Sequence, residues 1–344
     1  MKLNCSDVMA PLLPYLEQEA EQHSGNRYMI CLHGGEPLLM GVDKFDKIAS
    51  TLEKLNRETD NSFAFSLQTN ATLMTEQWAS VFARYKDLMG ERGIGVSIDG
   101  DEETHNRFRK IVGGQGSYHA AIRGIERLRE HHVPFGILTV TTQYSLQRAD
   151  AIFESILNLR PKFWRLLPCY NLDGNGSLTS YALDPLDYAS YLKKQFNNWV
   201  KSGKMREIIV DPFTSIISVI KGKPVPWCEY RVDKCENFLS VETDGSLCIC
   251  DTFPEMTYKD QSRLAGCDFH AALIDMPDYY SKLKSDLDMH CANEDCPVKE
   301  VCHGGCYGMR WVFKSLNEAL YRNYCNAKRS IITHIMNAVR LTEY

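Results

Sequence analysis

The sequence is poor in long apolar runs and in concentrated positive charge. No apolar stretch of the 344 residues approaches the roughly 18 needed to span a bilayer. The first residues, MKLNCSDVMAPLL, lack the basic segment and continuous apolar core of a secretory signal. The formal net charge is -5 and the Lys and Arg residues are dispersed, which argues against binding a phosphate backbone. We therefore expect a cytoplasmic protein with neither membrane nor nucleic-acid partners.

Cysteine is scarce in the first part of the chain and abundant in the last. Of 13 cysteines, only Cys5, Cys31 and Cys169 precede residue 200, and the other ten lie from Cys228 to Cys325. In a reducing compartment such a set more often binds metal than forms disulfides. The pattern predicts a cysteine-poor first part and a metal-binding last part.

Short β-like runs alternate with helical patterns through the first half. The runs are rich in β-branched and aromatic residues, and the segments between them have apolar positions three and four residues apart. This alternation predicts an α/β fold with a parallel sheet or barrel. The predicted strands are 28–34, 63–70, 93–99, 135–142 and 163–170, and the predicted helices are 6–21, 43–56, 75–89, 118–131 and 149–158.

Polar motifs follow four of these strands in turn. HGGEP follows the first, QTN the second, SIDG the third and TTQ the fourth. Ligands of parallel α/β folds bind at the carboxyl ends of the strands. Four motifs at equivalent positions predict one shared site.

The chain changes character after the fifth strand. Residues 171–186 form a loop rich in turn residues and a predicted domain boundary, and helices are expected at 186–201 and 213–221. From about residue 225 we predict few long periodic segments and an organisation set by cysteine.

The spacing of these cysteines indicates two metal sites. The segment CENFLSVETDGSLCICD contains Cys235 and Cys250, and CANEDCPVKEVCHGGC contains four more cysteines before NYC. Iron–sulfur clusters take about four thiolates each, and tetrahedral zinc sites also use four thiolates, so both metals remain open on spacing alone. The eight candidate ligands are Cys228, Cys235, Cys250, Cys306, Cys291, Cys296, Cys302 and Cys325.

Taken together, these motifs resemble the radical S-adenosylmethionine enzymes that carry a cysteine-rich extension, the SPASM domain. The matching segments are GGEP, SLQTNATL, VSIDGDEETHNRFRKIVGGQGSY, VETDGSLCICD and CPVKEVCHGGC. The resemblance covers nearly the whole chain and leans towards anaerobic sulfatase maturases and towards maturases that modify ribosomal peptides. It implies a partial (β/α) TIM-like barrel lacking its first strand at 1–185, a helical linker at 186–224 and a SPASM iron–sulfur domain at 225–344.

The resemblance also implies a cofactor site at the strand ends. Gly34 and Gly35 would let the backbone approach S-adenosylmethionine, Pro37 would stiffen the exit, and the Glu36 carboxylate would suit the methionyl ammonium. The other residues implied are Gln68 and Asn70 in the same pocket, Ser97 at the ribose or carboxylate region, and Arg109 paired with the carboxylate. Asn70 serves equally well as a turn residue, and Arg109 as a surface cation.

The cysteine-rich part is implied to hold two auxiliary [4Fe-4S] clusters and a base. Asp251, directly after Cys250, matches an aspartate thought to accept a proton as a substrate radical passes an electron to a cluster. It serves alternatively as a turn cap. Cys291 and Cys296 are separated by four residues where the family has two, and Cys248 and Cys267 are spare cysteines, either of which could take the place of Cys228.

The defining CxxxCxxC motif of the superfamily is absent from these 344 residues. Two hypotheses follow. In the favoured one, strand one and its cysteines belong to a longer chain, which oxidatively modifies a peptide or protein side chain with electrons from a donor such as flavodoxin or ferredoxin; the present residues alone would be inactive. In the alternative, the chain is a non-catalytic iron–sulfur partner that binds peptides or transfers electrons.

Overall fold

The structure is a computed structural model of the chain. It describes residues 5–90, 93–235, 238, 240–241, 247–248, 250, 252, 285, 288, 291–292 and 295–341.

Six parallel strands form one sheet in which spatial order equals chain order. Each strand pairs with the next one along the chain, from β1 to β6. The predicted parallel α/β fold, a partial barrel, is confirmed. The strands are β1 (Arg27–Leu32), β2 (Ser62–Thr69), β3 (Ile94–Ser97), β4 (Phe135–Thr141), β5 (Phe163–Pro168) and β6 (Ile209–Asp211).

Helices connect the strands and continue into the cysteine-rich part. A separate two-stranded antiparallel ribbon joins β7 (Ser240–Val241) to β8 (Leu247–Cys248). The helices are α1 (Cys5–Gln22), α2 (Val42–Glu58), α3 (Glu76–Arg84), α4 (Lys86–Met89), α5 (Glu102–Phe108), α6 (Tyr118–Glu130), α7 (Ala149–Asn158), α8 (Pro185–Lys201), α9 (Phe213–Ile220), α10 (Lys299–Cys302), α11 (Tyr307–Leu316) and α12 (Glu318–Leu341).

Strand β2 buries one face under the helices and turns the other towards the concave side of the sheet, whereas β3 and β4 are buried on both faces. In β2, Phe63, Phe65 and Leu67 are buried, whereas the residues between them are partly exposed. Phe65 packs edge-on against Phe45 of α2 at a ring separation of 5.1 Å. The alternation places Gln68 on the concave face.

Two elements differ from the sequence prediction. Strand β6 lies in the segment expected to be only a helical linker, and its three residues are too few for an alternating pattern to be read. Helix α12 has 24 residues, so the expectation of few long periodic segments after residue 225 was wrong. Its buried residues recur at helical spacing, and α12 packs against α8.

Within the part of the chain that the structure describes, no helix combines the length and apolar character required to cross a membrane.

Candidate functional site

The turn after β1 is shaped by two glycines and a carboxylate. Gly34 and Gly35 have φ angles of 83° and 55°, a left-handed region in which a side chain is strained. Glu36 then caps the 3₁₀ turn Pro37–Met40, and its Oε1 accepts a hydrogen bond from the Leu38 amide at 3.1 Å. The turn therefore begins with two glycines, and the Glu36 side chain caps the 3₁₀ turn that follows them.

The same carboxylate ties the end of β1 to the end of β2. Glu36 Oε1 accepts from the Thr69 hydroxyl at 2.6 Å, and Oε2 accepts from the Asn70 amide at 2.9 Å. Glu36 was expected to face an ammonium group of a ligand. Three donors of the chain bind its two oxygens, so the carboxylate is a clamp between neighbouring strand ends, and about one of its four acceptor positions is left for a ligand donor.

Gln68 and Ser97 meet on the concave face of the sheet. The Gln68 side-chain amide lies 3.4 Å from the Ser97 hydroxyl, across the β2–β3 pairing. Asn70 instead accepts from the amide and hydroxyl of Thr72, at 2.9 and 2.7 Å. The structure thus joins Gln68 to Ser97 and uses the Asn70 carbonyl oxygen in a turn.

Arg109 is held by an acid that sequence reasoning did not select. Its Nε lies 2.5 Å from Asp99 Oδ2 and its terminal nitrogen 3.1 Å from Asp99 Oδ1. Asp99 Oδ1 also accepts from the Val140 amide at 3.0 Å. The two bonds hold the Arg109 guanidinium against Asp99, which follows Ser97 by two residues in the sequence. About a fourth of the Arg109 side chain is exposed. The sequence contained a signal for this acid, because Asp99 is the aspartate of the SIDG motif.

A buried histidine completes this arrangement. His105 Nδ1 accepts from the Asp99 amide at 3.3 Å, so its Nε2 carries the proton that faces the Ser117 hydroxyl at 2.9 Å. Ser117 in turn donates to the Arg109 carbonyl at 3.2 Å. Burial lowers the pKa of His105 to about 4, against the opposing pull of the Asp99 carboxylate, so the ring is neutral at pH 7. These bonds close the SIDG…H…R…GS segment into one ring of contacts.

Four of the eight candidate metal ligands line one cavity, and we refer to Cys291, Cys296, Cys302 and Cys325 as the second cysteine set. The cavity has a volume of about 40 Å³ and is partly open to solvent. Cations border it as well, because Arg310, Lys328 and Arg329 contribute to its lining. Burial raises the pKa of Cys302 to about 11, so a metal would have to displace its proton.

The other four candidate ligands form the first cysteine set, Cys228, Cys235, Cys250 and Cys306. Cys306 is half-buried, and removal of its thiol from water raises its pKa; the charges of Glu229, Cys228 and Cys250 act in the same direction. Cys235 has a φ of 65°. Cys250 Sγ lies 3.5 Å from the Thr252 hydroxyl, and the Cys306 amide donates to the Tyr324 hydroxyl at 2.9 Å. Within the described residues, no three His, Cys, Asp or Glu side chains are placed to bind one metal ion.

The two sets meet at the CHGGC turn, which runs from Cys302 to Cys306. His303 has a φ of 46°, and the two glycines that follow it also have positive φ angles. A buried ion pair lies beside the turn, where Lys328 Nζ is 2.5 Å from Glu229 Oε1. Burial raises the pKa of Glu229, but Lys328 and the Tyr324 hydroxyl at 2.7 Å outweigh it, and the net pKa is lowered.

Three positions raised by the sequence lie wholly or partly outside the described residues. Asp251, the candidate base, lies outside the described residues, as does Cys267. The backbone of Cys248 belongs to β8, and its side chain is outside the description.

Comparisons with known proteins agree with this arrangement. The family described as "Radical SAM superfamily" matches residues 12–156, which contain the strand-end motifs. A cysteine-type anaerobic sulfatase-maturating enzyme of Clostridium novyi is 29% identical over 316 residues, which cover 89% of this chain and 78% of that protein. A serine-type anaerobic sulfatase-maturating enzyme of Klebsiella aerogenes is 27% identical over 278 residues, covering 79% and 65%.

A solved structure shares the fold over nearly the whole chain. The structure titled "Native anSMEcpe with bound AdoMet and Kp18Cys peptide" superposes with a TM-score of 0.74 at 22% identity, and the match covers 97% of this chain and 90% of that one. The sheet, the strand-end motifs and the family match agree: residues 12–156 match the radical SAM superfamily, and the chain is similar over most of its length to anaerobic sulfatase-maturating enzymes.

Proposed function

We propose that this chain belongs to a maturase that binds S-adenosylmethionine at the ends of β1, β2 and β3 and oxidises a cysteine or serine side chain of a peptide or protein. The observation that carries the proposal is the similarity to relatives named cysteine-type and serine-type maturases over most of the chain. The structure with the same fold was determined with AdoMet and a peptide bound, as its title states.

In the proposed cofactor site, backbone and side chains have separate roles. Gly34 and Gly35 allow the chain to approach the ligand, because no Cβ occupies the space in front of them. Pro37 begins the rigid 3₁₀ turn. Gln68 and Ser97 contribute polar groups on the concave face, and Asn70 fixes the turn that frames them.

Arg109 is proposed to bind the carboxylate of S-adenosylmethionine. Two of its five N–H donors are directed at Asp99, which leaves donors of the same planar group for a second carboxylate. Glu36 is proposed to maintain the β1 turn that receives the ammonium end, through its contacts with Thr69 and Asn70.

The two cysteine sets are proposed to hold two auxiliary [4Fe-4S] clusters. Each set has four thiols, the number that a [4Fe-4S] cluster takes, and the resemblance to the SPASM domain favours iron–sulfur clusters over zinc. Bound clusters would supply one-electron acceptors near the site. Asp251, beside Cys250, is proposed as the base that removes a proton from the substrate.

The proposed domain division keeps the boundaries 1–185, 186–224 and 225–344. The proposed partners are a peptide or protein substrate and an electron donor such as flavodoxin or ferredoxin.

Calorimetric titration with S-adenosylmethionine tests the cofactor site. Anaerobic, iron-loaded protein is expected to bind the ligand, and Arg109→Gln to bind it at least about tenfold more weakly, since a charged hydrogen bond contributes about 1.5–3 kcal/mol. Arg107→Gln, which changes an arginine stacked on Tyr144 near the same segment, is the matched control. Equal affinities for the wild type and Arg109→Gln would contradict the assignment of the carboxylate site.

Mass spectrometry tests the reaction. Since a CxxxCxxC motif is not among these residues, the assay uses the polypeptide as its source produces it, with its intact mass recorded. With S-adenosylmethionine and a reductant, a cysteine or serine peptide is expected to lose hydrogen at that side chain. Unmodified peptides, with all clusters present, would favour the alternative of an iron–sulfur partner protein.

A further inference from the structure

Arg165 of β5 is an interior arginine whose side chain makes no hydrogen bond within the described residues. The side chain is 27% exposed, and its Nε is buried without a partner. Asp211 Oδ2 lies 3.9 Å from a terminal nitrogen of Arg165, which is beyond hydrogen-bond distance. An arginine has five N–H donors, and unpaired donors inside a protein are costly. A ligand that is bound during function explains why such donors are left free.

Arg165 lies in one row with Ser97, a residue of the proposed cofactor site. Ser97 of β3 is the partner of Leu138 of β4, which is the partner of Arg165. Arg165 is in turn paired with Asp211 of β6. Side chains alternate between the two faces of a sheet, so residues paired across parallel strands share a face, here the concave one. Two strand spacings separate the backbones of Ser97 and Arg165 by about 10 Å, so Arg165 borders the space beside the proposed cofactor site.

The guanidinium of Arg165 is held by an aromatic ring. Its central carbon lies 5.2 Å from the centre of the Trp227 ring, a cation–π contact. The Trp227 amide donates to the hydroxyl of the buried Ser215 at 3.2 Å, and that hydroxyl donates to Asp211 Oδ1 at 2.7 Å. One serine therefore joins the ring and the acid that flank Arg165. Stacking uses a face of the planar guanidinium and leaves its N–H donors, which lie in the plane, for a ligand.

The acid beside Arg165 indicates which kind of group the arginine binds. Asp211 is buried and lies close enough to offset the charge of Arg165 without accepting its hydrogen bonds. In this interior Asp211 would repel a second carboxylate, whereas a neutral carbonyl oxygen accepts N–H donors and adds no charge. A peptide presents such an oxygen at every residue.

We propose that Arg165 binds a backbone carbonyl oxygen of the peptide or protein substrate on the concave face of the sheet. The inference rests on the proposed function, since it requires a peptide substrate beside the cofactor. Arg165 holds the substrate chain at a distance from the reacting side chain, so its contribution is the same before and during the reaction. Binding of this kind lowers KM and leaves kcat unchanged.

Binding of a probe peptide to anaerobic, iron-loaded protein, saturated with S-adenosylmethionine, tests the proposal. The protein is the polypeptide as its source produces it. The probe has one cysteine, no Asp or Glu, an acetylated amino end and an amidated carboxyl end, so it contains no carboxylate. Arg165→Met is expected to bind the probe at least about tenfold more weakly, because it loses a hydrogen bond from a charged group. In turnover, KM for the probe should rise by a similar factor at unchanged kcat.

A second variant removes the effect of an uncompensated buried acid. Arg165→Met leaves the charge of Asp211 unbalanced, which can destabilise the fold. The double variant Arg165→Met, Asp211→Asn removes both charges and keeps an acceptor oxygen for Ser215. It is expected to lose the same affinity for the probe as the single variant.

Arg57→Met is the matched control. Arg57 lies on α2, on the opposite side of the sheet, and is an exposed arginine that pairs with Glu53 at 3.1 Å. Its loss is expected to leave the affinity for the probe unchanged. Equal affinities in the wild type and in both Arg165 variants would overturn the role of Arg165. A loss confined to peptides that contain Asp or Glu would show a carboxylate acceptor and overturn the carbonyl assignment.

Iron, acid-labile sulfide and affinity for S-adenosylmethionine are measured on every variant. Burial raises the pKa of the Cys228 thiol and the charge of Arg165 opposes this, so Arg165 has an alternative role at the first cysteine set. Loss of iron in both Arg165 variants would assign it that role, and weaker binding of S-adenosylmethionine would place it in the cofactor site; either result rejects the peptide role. A wild type that binds neither S-adenosylmethionine nor the probe would overturn the proposed function itself.

Discussion

Replacing His105 should remove a specific part of the acid sensitivity of this protein. His105 is buried at 1% exposure and its pKa is lowered to about 4, from 6.5 in an exposed histidine. Its folded-state pKa lies below its unfolded value, so protonation favours the unfolded chain. The stabilisation is complete above pH 6.5 and is lost as the pH falls towards 4.

The size of the effect follows from the shift. A difference of about 2.5 pKa units corresponds to about 3 kcal/mol of unfolding free energy between neutral pH and pH 4. The charged groups that face the ring do not reverse the direction of the pKa shift of His105. Burial is the largest cause of the shift, and Asp99 and Arg109 act on the pKa in opposite directions. His105→Asn has no such titration and should lose about 3 kcal/mol less than the wild type over the same pH range.

Urea unfolding at several pH values measures this difference. At neutral pH, His105→Asn should itself be less stable by about 1–3 kcal/mol, because the Asp99 amide or the Ser117 hydroxyl loses its partner. His119→Asn is the matched control, since His119 is exposed and pairs with Glu102 at the surface. If the stabilities of the wild type and His105→Asn fall in parallel with pH, the assignment of a neutral buried ring is refuted.

Three further substitutions test the site. Glu36→Gln replaces one acceptor oxygen with a donor facing N–H or O–H groups, so urea unfolding should show a loss of about 1–3 kcal/mol; unchanged stability would contradict the clamp. Gly34→Ala should lower the free energy of unfolding by about 1–2 kcal/mol, because Gly34 has a φ of 83°. Gly174 has equally open space around it but no positive φ, so Gly174→Ala should lower it less. Equal losses in the two variants would contradict the backbone explanation. Cys302→Ser should lose about half of the bound iron and Cys169→Ser none, as measured by metal analysis; full iron in the first would exclude Cys302 as a ligand.

The strands were predictable because their side chains alternate over enough residues. The run from Phe63 to Thr69 places apolar residues at every second position, and the structure has β2 at 62–69. Strand β6 has only Ile209, Val210 and Asp211, and it exists because the edge of β5 accepts it as a partner. Pairing of this kind depends on the tertiary structure, which no three-residue window contains.

Helix α12 shows a different reason for a missed element. Its apolar residues Tyr321, Tyr324, Ile331, Ile335 and Val339 repeat at helical spacing and are buried. The period was therefore present in the sequence. The prediction for this region followed the cysteine spacing and named no helix there, although Cys325 itself lies within the helix and lines the cavity of the second cysteine set.

The candidate site was predictable as a location but not as a set of partners. Alternation and strand order bring the motifs to one edge of the sheet, which follows from parallel topology. Which motif residue faces a ligand and which supports another residue depends on distances across strands. Glu36 was predicted as a ligand contact from its sequence position, and the structure adds bonds from its oxygens to Thr69 and Asn70, 33 and 34 residues away, which the sequence did not reveal.

The SIDG…H…R…GS segment illustrates how such a motif combines two functions. Ser97 is oriented towards Gln68 on the concave face, where a ligand of the sheet would lie. Asp99 and His105 point into the ring of hydrogen bonds that positions Arg109. Since the ring must close through backbone and side-chain atoms of one short segment, the intervals between these residues are fixed by geometry. The spacing of the motif is therefore explained by the support of Arg109 as much as by contact with a cofactor.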